Sequence, residues 1–206
     1  MSSERPNEPQ INAIVDVGDF FREVVSDASR ASGLESSLAS VHYLASLLAA
    51  FARPGVFQHE TFSKPFTFLL VEALQLAGAQ RFERLRLLGD AVLYQSGFFG
   101  EHLDRRGLER GYVNGVGATA YDQAAAMLRR VGAGGAPDLF AELASRFDHF
   151  VSLLEVVADS LFAQEAREPK SLVELYERWL KTKSPVLRSA LHRHGLVPVS
   201  GDGTIH

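Results

Sequence analysis

The chain of 206 residues contains no cysteine. This absence excludes disulfide bonds, thiolate metal sites, iron–sulfur clusters and cysteine nucleophiles. An excess of basic charge is missing as well, because 21 lysines and arginines face 25 aspartates and glutamates, for a net charge of -4. Proteins that hold nucleic acid or an anionic membrane by bulk positive charge need the opposite balance. We therefore expect neither nucleic acid nor a membrane among the partners.

Long hydrophobic runs are also missing. A membrane-spanning helix needs about 20 predominantly apolar residues, whereas the two most apolar stretches, 39–52 and 66–79, are shorter and contain His42 and Glu72, respectively. The opening segment MSSERPNEPQ is polar and lacks the apolar centre of a signal peptide. The sequence therefore predicts a cytoplasmic location.

Helical periodicity is what the sequence has in quantity. Apolar residues recur at i, i+3 and i+4 through most of the chain, and the strict alternation that is typical of strands never persists. We predict an all-α, single-domain, mostly antiparallel helical bundle of seven or eight helices over residues 16–198. A mobile N-terminal arm is expected over residues 1–15 and a flexible C-terminal tail over residues 199–206.

Glycine and proline set the predicted helix bounds. Gly33 is expected to end the first helix, and Pro137 is expected to open one long helix after the flexible segment GAGGAP. The predicted helices cover residues 16–32, 35–52, 66–79, 80–103, 107–131, 137–166, 170–181 and 185–195.

Motifs for metals and nucleotides are missing. A carboxylate-bridged metal pair in a helical bundle requires Glu-x-x-His on two helices, but no histidine in this chain follows an acidic residue by three positions. The glycines near 115 and at 132–135 lack both the preceding strand and the Lys-Ser/Thr of a phosphate loop. No serine lies in the G-x-S-x-G context of a hydrolase nucleophile. We expect no metal and no cofactor.

Small residues form a strip on one face of the predicted helix 107–131. Gly111 and Gly115 each cost about 1 kcal/mol relative to alanine within a helix, so a compensating interaction is expected. The strip, completed by Ala118, predicts the close approach of another helix; a ligand against exposed backbone is the alternative. The facing surface is expected to consist of Gly89, Ser96 and Gly97.

Polar residues are concentrated on two adjacent predicted helices. Arg86 precedes Asp90 by four positions and Tyr94 follows it by four, so the three side chains share one helical face. If this face turns inward, Asp90 must be paired, because an isolated buried carboxylate is very costly. One interpretation is a buried Asp–Arg or Asp–Tyr clasp that fixes the register of two helices; another is a pocket for a small molecule. The polar set comprises Asp90, Tyr94, Glu101, Tyr112, Asn114, Tyr121 and Asp122.

Two longer stretches also stand out. They are RLRLLGDAVLYQSGFFGEHLDRRGLERGYVNGVGATAY at 84–121 and SLVELYERWLKTKSPVLRSALHRHGLVP at 171–198, with Leu-Gly-Asp at 88–90 and Tyr-Glu-Arg-Trp-Leu at 176–180. In these stretches the chain resembles a widespread family of uncharacterised bacterial all-helical proteins. The resemblance implies a bacterial helical protein and carries over no activity and no site residue.

These observations favour a non-catalytic cytoplasmic protein that acts by protein–protein interaction or self-association. Its partner is expected to be another copy of the chain or a different protein, with the helices 107–131 and 137–166 as candidate interfaces. A sensor or carrier of a small organic ligand is the alternative, and an enzyme with Asp90 or Glu101 as acid or base is a third hypothesis. The candidate ligand-binding residues are Asp90, Tyr94, Glu101, Tyr112 and Tyr121.

Overall fold

The computed structural model of the chain describes residues 9–53, 64–130, 132 and 138–198, with side chains from residue 17 onward. Within these ranges all regular structure is helical, which confirms the predicted all-α bundle, with nine helices in place of seven or eight. The helices are α1 (Pro9–Ser32), α2 (Leu38–Phe51), α3 (Phe66–Gln75), α4 (Gly78–Arg105), α5 (Arg110–Arg130), α6 (Leu139–Ser145), α7 (Phe147–Glu165), α8 (Pro169–Thr182) and α9 (Pro185–Arg193).

The first two helices begin and end at residues that suit these positions. α1 begins at Pro9, inside the segment predicted as an arm, because a proline in the first helical turn lacks only an N–H that has no acceptor there. Gly33 follows α1 with a φ of 67°, a left-handed conformation that favours glycine. Ser37 caps α2 by accepting a hydrogen bond from the Ser40 N–H. Residues 1–8 of the predicted arm and the tail 199–206 lie outside the described residues.

The prediction of one long helix over 137–166 is wrong. The helix is interrupted at Arg146 (φ -119°, ψ 30°), between α6 and α7. The Arg146 guanidinium donates to the Glu35 carbonyl at 2.6 Å, so the break is held by a residue 111 positions away in the chain. The apolar periodicity of residues 137–166 cannot predict this break, because the partner lies outside the segment. The predicted opening residue, Pro137, lies outside the described residues.

The long helix α4 is interrupted once, at Phe99. Phe99 has non-helical angles (φ -128°, ψ 27°), a short distance beyond the Ser96-Gly97 pair. Gly107, with a φ of 69°, follows the C-terminal end of α4, and the Leu108 N–H donates to the Leu103 carbonyl there.

The chain consists of two compact units, Met1–Leu154 and Glu155–His206. The domain bounds predicted at 16 and 198 stay a prediction. In the first unit, α4 packs along α5 and supplies a buried face of Leu85, Leu88 and Val92. The second unit has a core of its own around Trp179. Leu175, Leu187 and Leu191 surround it, and all of them are fully buried.

Among the helices of the described ranges, none has the combination of length, apolar character and low charge that crossing a bilayer requires.

Glycines permit close packing in the first unit, but not on the predicted strip. A Cβ at Gly89 would lie 2.5 Å from the Tyr121 ring, and one at Gly117 would clash with Phe147 and Val92. A Cβ at Gly115 would meet nothing within 4 Å, and one at Gly111 would meet only the Glu109 Oε1, at 3.8 Å. The prediction of a helix against the strip is therefore wrong at these two residues. The face of α5 that meets α4 carries Gly117 and Tyr121.

Replacing Gly89 by alanine is expected to destabilise the protein by about 1–3 kcal/mol, because the new methyl group overlaps a ring that cannot move away freely. Gly115→Ala is the matched control within a helix. It is expected to raise stability by about 0.5–1 kcal/mol, since its Cβ meets nothing and the helix gains propensity. Urea unfolding of both variants measures the difference, and equal midpoints would contradict this account of the packing.

Candidate functional site

The inward polar group predicted on α4 is present and centres on Asp90. The residue is 5% exposed and its Oδ1 accepts hydrogen bonds from the Tyr43 hydroxyl (2.5 Å) and the Tyr121 hydroxyl (2.7 Å). Its Oδ2 accepts from Arg86 Nη1 at 2.7 Å, the i, i+4 pair that the sequence predicts. Three helices therefore meet at one carboxylate, in an arrangement that we call the Asp90 clasp: Asp90, Arg86, Tyr43 and Tyr121.

In the clasp, burial and hydrogen bonding shift the pKa of Asp90 in opposite directions. Burial raises the pKa of Asp90, while the two phenols and the Arg86 guanidinium act in the opposite direction. Burial and the Asp90 charge raise the pKa of both Tyr43 and Tyr121, so the phenols stay protonated and donate. Hydrogen bonds to Glu83 raise the pKa of Arg86. The carboxylate thus has one cationic and two neutral donors, all from the chain itself.

Of the five candidate ligand-binding residues, only Asp90 and Tyr121 come together. Tyr94 packs between Phe51 and Phe98, with ring centroids 4.6 and 4.9 Å away. Tyr112 is 56% exposed and shares a hydrogen bond with Thr67 of α3. Glu101 lies near the surface, 4.0 Å from Arg105.

Tyr43 is absent from the polar set that the sequence predicts. This residue lies on α2, where the neighbouring residues Val41, Leu44 and Ala45 are buried. A single phenol in so apolar a helix is a signal of a polar partner in the core. The identity of that partner depends on how α2 packs against α4. The spacing of residues within α2 does not show this packing.

A second polar cluster joins the start of α2 to the break between α6 and α7. The Glu142 carboxylate accepts hydrogen bonds from the hydroxyls of Ser37 (2.6 Å) and Ser40 (2.9 Å) and lies 3.4 Å from Arg146 Nη1. Although burial opposes the change, these hydrogen bonds lower the pKa of Glu142. Burial and the Arg146 charge lower the pKa of His149, which lies beside them. The cluster attaches the α1–α2 hairpin to the rest of the first unit.

The small-residue strip of α5 forms one wall of an open groove, and the α6–α7 junction forms the other. We call it the α5–α6 groove. One end, about 430 Å³ in volume, is lined by Gly111, Asn114 and Gly115 from α5 and by Asp148 and His149 from α7.

The other end of the groove, about 580 Å³, continues past Ala118 to Asp122 and Glu142. Asp90 lies outside both ends.

Nothing in the described ranges forms a cluster of three or more histidine, aspartate or glutamate side chains that could hold a metal ion.

Comparison with protein-family models, with curated proteins and with solved structures finds no match to this chain. The stretches 84–121 and 171–198 therefore match no family model.

Removing the Tyr43 hydroxyl tests the clasp. Tyr43→Phe is expected to lower the free energy of unfolding by about 1.5–3 kcal/mol at neutral pH, because a buried carboxylate loses a donor. The loss raises the pKa of folded Asp90 further, so the folded variant keeps its proton to a higher pH than the wild type does. The stability difference must therefore grow as the pH rises through the titration of Asp90 and shrink in acid. Urea unfolding across pH measures it, and a constant difference would contradict the clasp.

Ser37→Ala removes both the cap of α2 and a donor to Glu142. The expected loss of stability is about 1–2 kcal/mol. Because the folded pKa of Glu142 is lowered, its contribution is present above the usual glutamate range and disappears as the pH falls through the folded pKa. Ser36→Ala is the control, since the Ser36 hydroxyl makes only long contacts of 3.3 and 3.4 Å. Thermal unfolding that ranks the two variants equally would count against the cluster.

Proposed function

We propose that the protein is a non-catalytic cytoplasmic binding protein that associates with a second copy of itself through α3. This proposal rests on one contrast: α3 is apolar in sequence, but most of its residues are not buried. The helix reads FTFLLVEALQ, yet Ala73 is its only buried residue. Phe68 is 65% exposed and Val71 is 49% exposed. Apolar surface of this kind marks interaction sites when it is contiguous.

Charge favours a second copy as the occupant. The one charged residue of α3, Glu72, is paired with Lys64 at 2.6 Å, so the helix presents no uncompensated charge to a partner. Tyr112, an aromatic residue with an exposed ring, adjoins α3 through its hydrogen bond with Thr67. Symmetric dimers use one patch on both subunits, and an uncharged apolar patch is complementary to itself. The patch is small, so the association is expected to depend on protein concentration.

The helices 107–131 and 137–166, named from the sequence as interfaces, remain predictions. What supports α3 over them is its exposed apolar face, whereas α5 presents Gly111 and Gly115 to the α5–α6 groove.

The clasp geometry weighs against a ligand or a reaction at Asp90. The carboxylate is buried and receives its three hydrogen bonds from Tyr43, Tyr121 and Arg86, which are groups of the chain itself. An acid or base catalyst needs a reacting group within hydrogen-bond reach. This observation favours the structural interpretation over the sensor and enzyme hypotheses.

The association is tested by Val71→Asp with Val173→Asp as the matched control. Both valines lie on helices and are similarly exposed, at 49% and 57%. In a symmetric interface, Val71→Asp places two like charges together, so the dissociation constant is expected to rise about tenfold or more. Val173→Asp is expected to leave it unchanged. Sedimentation velocity over a range of protein concentrations measures both variants.

Wild-type protein that stays monomeric at every concentration would overturn the proposal. Equal dissociation constants for the two variants would overturn it too. Thermal unfolding of both variants verifies that they are folded.

A further inference from the structure

One nitrogen of the Arg146 guanidinium joins two parts of the first unit. Arg146 Nη2 donates to the Glu35 carbonyl at 2.6 Å, and Glu35 lies in the turn between α1 and α2. The same nitrogen lies 3.0 Å from Nε2 and 3.3 Å from Nδ1 of the His149 ring, on α7. A movement of this nitrogen away from His149 therefore changes its contact with Glu35 as well.

The contact between Arg146 and His149 requires a neutral imidazole. A guanidinium only donates hydrogen bonds, so the ring must offer it a lone pair. A neutral imidazole has one such nitrogen, whereas both nitrogens of a protonated imidazole are donors. Protonation of His149 therefore removes the acceptor and leaves two positive groups 3.0 Å apart.

The charged groups around His149 come from the α6–α7 segment and from the α1–α2 turn. Burial and the Arg146 charge lower the pKa of His149, while a hydrogen bond with the Glu35 backbone and the Glu142 charge act in the opposite direction. The neighbouring Asp148 carboxylate accepts a hydrogen bond from an amide of α5. His149 lines the open α5–α6 groove, so that water and protons reach the ring.

The bond from Arg146 is the closest attachment of the α1–α2 turn to α7 among the residues that the structure describes. The Ser36 hydroxyl makes only long contacts of 3.3 and 3.4 Å, the second of them with His149. Ser37 is attached separately, through the Glu142 carboxylate at 2.6 Å. Withdrawal of the guanidinium therefore frees the part of the turn before Ser37.

We infer that Arg146 and His149 form a pH-sensitive latch on the turn between α1 and α2. When the ring is neutral, Arg146 Nη2 binds the ring and the Glu35 carbonyl together, and the latch is closed. When His149 takes up a proton from water, the guanidinium is repelled and its bond with Glu35 breaks, so residues 34–36 are released. This regulatory device is separate from α3, so the two proposals stand or fall independently.

The direction of the effect follows from the protons bound by the folded and unfolded chain. Because the pKa of His149 is lowered in the folded state, the unfolded chain takes up this proton at a higher pH. The contribution of the latch to stability is present above the ordinary histidine pKa of about 6.5 and is lost as the pH falls toward the folded pKa. Acid therefore opens the latch.

A nitroxide spin label on the turn tests the inference in the full chain. The chain has no cysteine, so Glu35→Cys gives a single labelling site, and it retains the backbone carbonyl that Arg146 binds. Between about pH 7.5 and about pH 5, the mobile component of the electron paramagnetic resonance spectrum is expected to grow about fivefold or more. Its midpoint is expected to equal the pKa of His149 measured by NMR, below the ordinary value of about 6.5.

Three variants of the labelled protein separate the latch from other titrations. His149→Gln retains an acceptor for Arg146 but does not titrate, so the label is expected to stay immobile down to about pH 5. His149→Lys carries its charge at neutral pH and is expected to give the mobile spectrum already at about pH 7.5. His192→Gln, which removes an exposed histidine of α9, is expected to keep the wild-type profile.

Asp90 and Glu142 are retained in all three variants, so their titration cannot produce a difference between the wild type and His149→Gln. A label whose mobility does not depend on pH in the wild type would overturn the inference. The same pH profile in His149→Gln, or a pKa of His149 at or above the ordinary value, would overturn it too. Thermal unfolding at neutral pH verifies that the variants are folded, and the comparison with His149→Gln decides the matter even if His149→Lys does not fold.

Discussion

Burying the Asp90 carboxylate constrains the first unit of the chain more than any other feature. Asp90 is 5% exposed and obtains its donors from α2, from α5 and from its own helix. A sliding movement of α4 against α2 or α5 would take a phenol donor from the buried carboxylate, at a cost of about 1.5–3 kcal/mol, and would therefore be unfavourable. The same geometry explains Gly89, because the Tyr121 ring can reach Asp90 only where the preceding residue has no side chain. The clasp and the close packing of α4 on α5 therefore depend on each other.

The parts of this arrangement that depend on local spacing could be predicted from the sequence. The pairing of Arg86 with Asp90 could be predicted because the two residues are four positions apart on one helix. Gly33 predicts the end of α1, and Pro169 and Pro185 predict the beginnings of α8 and α9. Tyr43 could not be assigned to the clasp, because its partner lies 47 residues away. The interruption at Arg146 has the same origin, since its partner carbonyl belongs to Glu35. Contacts between distant segments depend on how whole helices are placed.

The glycines of α5 show where counting residues is insufficient. The composition of α5 indicates that some of its glycines permit close packing, but not which ones. Gly117 and Gly115 are two positions apart, which turns them by about 200° around the helix axis. Gly117 meets α4 and α7, and Gly115 faces the open groove. The face assigned from the sequence was therefore nearly opposite to the packed one. Rotation of a helix about its axis is set by its larger side chains, here Val113, Val116 and Tyr121, all of which are buried.

The contrast between the Asp90 clasp and α3 indicates where function lies. In the clasp the buried carboxylate has its donors, and the two phenols have their acceptor. At the surface, α3 exposes Phe68 and Val71, although apolar side chains in a sequence that folds reliably are mostly buried. An exposed apolar face of this kind marks an interaction site when it is contiguous. A binding function at α3 accounts for this exposure, whereas a reaction at Asp90 would not.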